Sequence, residues 1–328
     1  MPLLNRCRRR AHLPSHLAQR NRAGRIHRSA WLAVIAPWLL LSACSPAETA
    51  NGTPAPSPSP STPPPAPTPP PAPPPAPSPG TTPTAQLPWS TYGKLTLPVD
   101  EDGTRGADEI AAADLANYSS RYWYHPASGQ LAQSGYRAAG GETVFWAPTN
   151  GNGTTGNSDF PRTEMREQLD LGSSDRNWRL TGTHIQRGTV TVTRLPTPLR
   201  SGQATHLVFA QMHSVDNAPP VKLIFEAAAD GSTSVFGNYN LRRRAGTSEN
   251  SRIALPMALG RAFSYEIRVV DGDVTTTIDG RVIDSRNLRP IWTFEQFYFK
   301  AGNYLGNNSS DSTGYGEVVY SAIERVHR

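Results

Sequence analysis

From Thr189 onward the chain alternates β-branched or aromatic residues with polar ones in short runs, each closed by a turn signal. Examples are Thr189-Val190-Thr191-Val192-Thr193, Lys222-Leu223-Ile224-Phe225-Glu226, Tyr265-Glu266-Ile267-Arg268-Val269 and Val274-Thr275-Thr276-Thr277-Ile278. Period-two alternation sends successive side chains to opposite faces, which suits a strand with one face in a core; a helix needs a period of 3.6. Asp271-Gly272 and Asp279-Gly280 punctuate two of these runs, and Asp-Gly favours the positive φ angles of a two-residue hairpin turn. One stretch, DEIAAADL at 108–115, reads as a short helix. The whole predicts an all-β fold, a two-sheet sandwich or β-jelly roll.

The strands occupy only part of the 328 residues. Of the 32 prolines, 19 lie between Pro46 and Pro88; such a run favours extended polyproline II and holds no core. Residues 1–29 carry eight arginines and no acid, and 30–41 (AWLAVIAPWLLL) form an apolar run too short for a comfortable membrane span. The segment ends in Leu41-Ser42-Ala43-Cys44, which resembles a bacterial lipobox, where the cysteine is lipidated. The expected organisation is a lipoprotein signal peptide at 1–43, a proline-rich linker at 44–87 and one domain at 88–328. The location that follows is an exported lipoprotein of the outer membrane, anchored through Cys44, or else a secreted protein.

Charge and cysteines narrow the function. The formal net charge of +6 belongs to the leader: without its eight arginines, 24 basic residues face 26 acidic ones. That balance argues against nucleic acid as a partner, which calls for a basic patch on the folded domain. Cys7 and Cys44 both precede the domain, so no disulfide holds it together. His125, His184 and His206 lack ligand-like spacing with acids or cysteines, and neither a catalytic metal nor a cofactor is expected. A monomer is expected.

Three segments place polar residues where a core strand would place apolar ones. In RTEMR (162–166), Arg162, Glu164 and Arg166 share a face; in QMH (211–213), Gln211 and His213 do; in YFKAGNYLG (298–306), Tyr298, Lys300 and Tyr304 do. Strands laid side by side with these faces aligned would suit an anionic polymer. At these residues the sequence resembles the alginate lyases of polysaccharide lyase family 7, whose signatures read R-S/T-E-L-R, Q-I/V-H and Y-F-K-A-G-x-Y-x-Q. The resemblance covers 87–328 and implies a jelly roll with a substrate groove across its concave sheet. This sequence departs from the pattern at Met165, Met212 and Gly306. Both methionines are expected to face the core, and Gly306 to loosen one wall of the groove.

The resemblance also implies a reaction. A polyuronate is cut by β-elimination: the C5 proton leaves, the C4–O4 bond breaks, and an unsaturated sugar remains. Because that proton is weakly acidic beside an ionised carboxylate, the donors that neutralise the carboxylate carry the largest catalytic term. Gln211 and one arginine, Arg162 ahead of Arg166, are assigned that work, with Glu164 orienting the arginine. His213 is assigned as base and Tyr304 as acid, with Tyr304 as base too in one stereochemical course. Arg166, Glu164, Lys300, Tyr298 and Asn303 are expected to bind substrate. The cluster Arg242-Arg243-Arg244 and the segment Asn150-Gly151-Asn152-Gly153 are candidate loops beside the groove. Three other readings stand beside this one: a lyase on another polyuronate such as glucuronan, a non-catalytic binding module on the same fold, and a glycoside hydrolase. The last needs two facing carboxylates, whereas Glu164 and Glu167, three apart on a strand, should face opposite sides.

Overall fold

A computed structural model describes residues 87–328 apart from 102, 104–105, 126–131, 138–139, 152–159, 217 and 243–247. The segment expected to be a signal peptide, Cys44 and nearly all of the proline-rich stretch lie outside the described residues, as do Arg243, Arg244, Asn152 and Gly153.

The strands in chain order are β1 (Gly93–Thr96), β2 (Glu109–Ile110), β3 (Trp123–Tyr124), β4 (Thr143–Pro148), β5 (Arg162–Glu167), β6 (Thr183–Arg194), β7 (Thr197–Pro198), β8 (Thr205–Ser214) and β9 (Val221–Ala227). They continue as β10 (Thr233–Asn240), β11 (Ser248–Asn250), β12 (Leu255–Pro256), β13 (Ala262–Val270), β14 (Asp273–Ile278), β15 (Arg281–Asn287), β16 (Phe297–Leu305), β17 (Ser312–Thr313) and β18 (Tyr315–His327). A nine-stranded sheet runs β11-β10-β9-β8-β16-β5-β1-β2, with β12 on β10; a seven-stranded sheet runs β15-β14-β13-β6-β18-β4-β3. All the pairings are antiparallel, and β7 pairs separately with β17.

Both Asp-Gly pairs make the hairpin turns their chemistry favours. Asp271 and Asp279 adopt φ 48°, each followed by a glycine with positive φ, and they join β13 to β14 and β14 to β15. The stretch 108–115 is not a helix. Glu109 and Ile110 pair with β1 as an edge strand, and the following residues form turns with i→i+3 hydrogen bonds such as Asp114 N–H to the Ala111 carbonyl. The unpaired edge of β1 supplies ladder partners that an isolated short helix would lack. The two helices that form among the described residues, Trp89–Tyr92 and Arg289–Trp292, are single turns.

The core lies between the two large sheets. Phe209 from one meets Phe263 and Tyr265 from the other edge to face, with ring centroids 5.3 and 5.5 Å apart. Each fully buried aromatic of this kind stabilises the sandwich by roughly 1.5–3 kcal/mol. Met165 and Met212 are fully buried in the same cluster, as expected.

One irregularity decides what the outer face of the nine-stranded sheet carries. Opposite β9, Val208 pairs with Ile224 and Gln211 with Lys222, so β8 holds an extra residue between them. The bulge sends Leu207 and Phe209 to the core while His206, Val208, Gln211 and His213 share the outer face.

Candidate active site

Three neighbouring strands bring the three sequence segments together. Central β16 pairs with β5 on one side, Lys300 opposite Arg166 and Tyr304 opposite Arg162. On its other side β8 sets His213 opposite Tyr298, Gln211 opposite Lys300 and Val208 opposite Tyr304. Arg162, Glu164, Gln211 and Lys300 are buried although they lie on the outer face, so this part of the sheet is recessed into a groove.

Glu164 is the hub. Its carboxylate accepts from the Gln211 side-chain amide and pairs with the Lys300 ammonium, and Arg162 Nη1 stands 3.9 Å away. The Arg162 guanidinium also lies 4.2 Å over the Tyr304 ring. Its Nε and Nη2 are buried with no hydrogen-bond partner among the described residues. A buried donor without an acceptor costs about 1–3 kcal/mol, so these two atoms mark a seat for an anion. The Gln211 amide nitrogen carries a second donor beside the one spent on Glu164.

His213 is prepared differently. Its Nδ1 lies 2.6 Å from the Ser214 carbonyl oxygen, which fixes the proton there and leaves Nε2 with its lone pair. The ring stacks on Tyr298 with centroids 5.1 Å apart and planes at 13°. Burial, reinforced by the Lys300 charge, pushes the imidazole pKa down to about 3, so it is neutral at neutral pH. Tyr304 packs on Val208, Ile224 and Phe236, a small apolar shelf that holds the ring beside Arg162.

Lys222 joins the set from β9, opposite Gln211. Burial lowers the pKa of its ammonium, Glu164 raises it, and Arg162 lowers it further. Arg162, Lys222 and Lys300 thus outnumber the single carboxylate of Glu164, and the surplus positive charge is in place before any ligand arrives.

The chain matches the alginate lyase family over residues 90–327. It belongs to that family. A curated alginate lyase from Klebsiella pneumoniae is 24% identical over 286 residues, covering 71% of this chain and 87% of the relative. Among solved structures, alginate lyase A1-II′, a member of polysaccharide lyase family 7, superposes with a TM-score of 0.59 at 29% identity, covering 73% of this chain and 95% of the other. An alginate lyase from Pseudomonas aeruginosa gives 0.58 and 29%, with 73% and 99% covered. The two-sheet sandwich is therefore the jelly roll of the alginate lyases.

Against that family pattern, not every expected substrate contact faces the groove. Asn303 does not: strand alternation turns it to the interior, where its amide donates to the Phe145 and Gly316 carbonyls at 3.2 and 2.7 Å. Arg166 stacks 4.0 Å over Tyr298 and donates to the Glu167 and Ser174 carbonyls and to Asn177 at 3.1–3.2 Å; it braces the His213 stack. Lys300 pairs with Glu164 through one of the three N–H donors of its ammonium. Sequence reasoning missed Lys222, although its alternation with Leu223 and Phe225 was the available signal.

Proposed function

We propose that this protein cleaves alginate by β-elimination, with Arg162 and Gln211 neutralising the uronate carboxylate, His213 Nε2 taking the C5 proton and the Tyr304 hydroxyl protonating O4 as the C4–O4 bond breaks. The electrons of the C5–H bond become the C4=C5 double bond, and those of C4–O4 stay on the departing oxygen. The observation that carries this reading is the pair of buried, partnerless donors on Arg162, set between Glu164 and Tyr304. Bidentate binding by a planar guanidinium is the geometry a carboxylate selects. A substrate carboxylate seated there offsets the surrounding cations, which raises the basicity of His213 once substrate is present. Alginate lyase A1-II′ has been crystallised with the substrate GGMG and with the product GGG, which supports alginate as the polymer.

The hydrolase reading loses its second carboxylate. Glu167 faces the interior and accepts from Trp178 Nε1, the Phe299 amide and His327 at 2.7–2.9 Å. We place the enzyme outside the cytoplasm, tethered by a lipid on Cys44, on the strength of the leader and lipobox-like sequence; replacing Cys44 with Ala should move it from the membrane to the soluble fraction.

The test mixes the protein separately with mannuronate-rich and guluronate-rich alginate and follows the near-ultraviolet absorbance of the new double bond. A rise on either establishes the lyase and its block preference together. Binding without a rise favours a binding module, and neither signal redirects the assay to other polyuronates.

A further inference from the structure

We propose that His206 is a further substrate-holding residue, occupying the space a side chain at position 306 would fill and presenting its imidazole to a sugar unit on the Tyr304 side of the groove. This rests on the polyuronate lyase reading above. A Cβ placed on Gly306 would lie 1.9 Å from His206 Nε2 and 2.3 Å from Cε1. The ring therefore takes that volume, and Gly306, expected to loosen the groove wall, is what admits the imidazole.

The backbone holds the ring there from both sides. The Gly306 amide donates to the His206 carbonyl at 2.9 Å, and the His206 amide donates to Asn307 Oδ1 at 2.9 Å. Asn307 is itself buried and bonded to Asp311 at 3.3 Å. Because of the β8 bulge, His206 shares the outer face with Val208, one rung from Tyr304, and sits opposite Glu226. No hydrogen bond engages the ring nitrogens among the described residues, and the residue is only half-buried. Burial, with Lys222 adding to it and Asp311 opposing, lowers the imidazole pKa, so at neutral pH one ring nitrogen donates and the other accepts. That pairing matches a sugar hydroxyl, which both donates and accepts, and Lys222, further along β9 opposite Gln211 yet near enough for its charge to act on the ring, suits a uronate carboxylate in the groove.

The experiment compares His206→Ala, Gly306→Ala, the double variant and His206→Gln in the full chain, measuring kcat and KM on alginate together with thermal melts. His206→Ala should raise KM roughly three- to tenfold, the worth of one or two neutral hydrogen bonds, with kcat within about twofold. Gly306→Ala, which evicts the ring while His206 remains, should raise KM alike, the double variant should be no worse than either, and His206→Gln should recover part of the loss. An unchanged KM in His206→Ala, additive effects in the double variant, or losses that follow the melting temperature rather than KM would each overturn the role of His206 and leave the lyase standing. Wild-type protein inactive on every alginate would overturn the lyase reading itself, and this one with it.

Discussion

Two buried glutamates three residues apart on β5 face opposite sides of one sheet and have opposite surroundings. Glu167 is saturated: Trp178, the Phe299 amide, His327 and Arg325 fill its oxygens at 2.7–3.2 Å. Glu164 is equally buried, but its partners are not used up, since Gln211 keeps a donor and Arg162 keeps two. A buried carboxylate whose neighbours are exhausted serves the fold. One whose neighbours have donors to spare organises a binding site, and the difference lies in the residual hydrogen-bonding capacity.

The largest test of the contrast is on the Glu164 side. Replacing Tyr304 with Phe or His213 with Ala should lower kcat by roughly 10²–10⁴-fold with little change in KM, measured by product absorbance; turnover near wild type in either variant means that the proton-transfer roles are misassigned. Next, Arg162→Ala should cost about 10²–10³-fold in kcat, whereas Arg166→Ala, which removes a brace, should cost far less. Equal losses would erase the distinction drawn between the two arginines.

On the Glu167 side the expected change is in stability. Breaking a buried charge network typically costs about 3–5 kcal/mol, so Glu167→Gln should show a lower midpoint in denaturant while the folded fraction keeps its kcat. Burial pushes the Glu167 carboxyl up, but the hydrogen bond and charge of His327, the Phe299 amide and Arg325 together hold it below its ordinary value of 4.5. A depressed carboxyl stabilises the fold above about pH 4.5, and that contribution fades as pH falls through the lowered value. The melting temperature should therefore fall more steeply between pH 7 and 3 in the wild type than in Glu167→Gln.

The smallest effect sharpens the picture of His213. With its pKa pushed down to about 3, the free enzyme keeps a neutral imidazole through mildly acidic pH, and kcat/KM should show no acid limb near the ordinary histidine value of 6.5. A limb at that pH would mean that water reaches the ring and that its burial does not prepare it.

Much of this was legible in the residues. Alternation gave the strands, Asp-Gly pairs gave two hairpins, and the three polar-faced segments marked the groove strands, because each of these signals is local. Asn303 was legible too, since strand alternation alone opposes it to Tyr304. Other choices are set by partners distant in the chain. Arg162 and Arg166 share a face and a chemistry, and only the loop at Ser174 and Asn177, together with Tyr298, removes one of them from service. His206 shows the limit most clearly. Counted by twos from His213 it falls on the core side, and the extra residue in β8 returns it to the groove. Backbone preference and periodicity were enough to set the all-β architecture, the hairpins and the polar segments. The tertiary structure decided which donors remain unspent and which side chains face the polymer, because strand register and hydrogen-bond saturation depend on neighbours that no local pattern specifies.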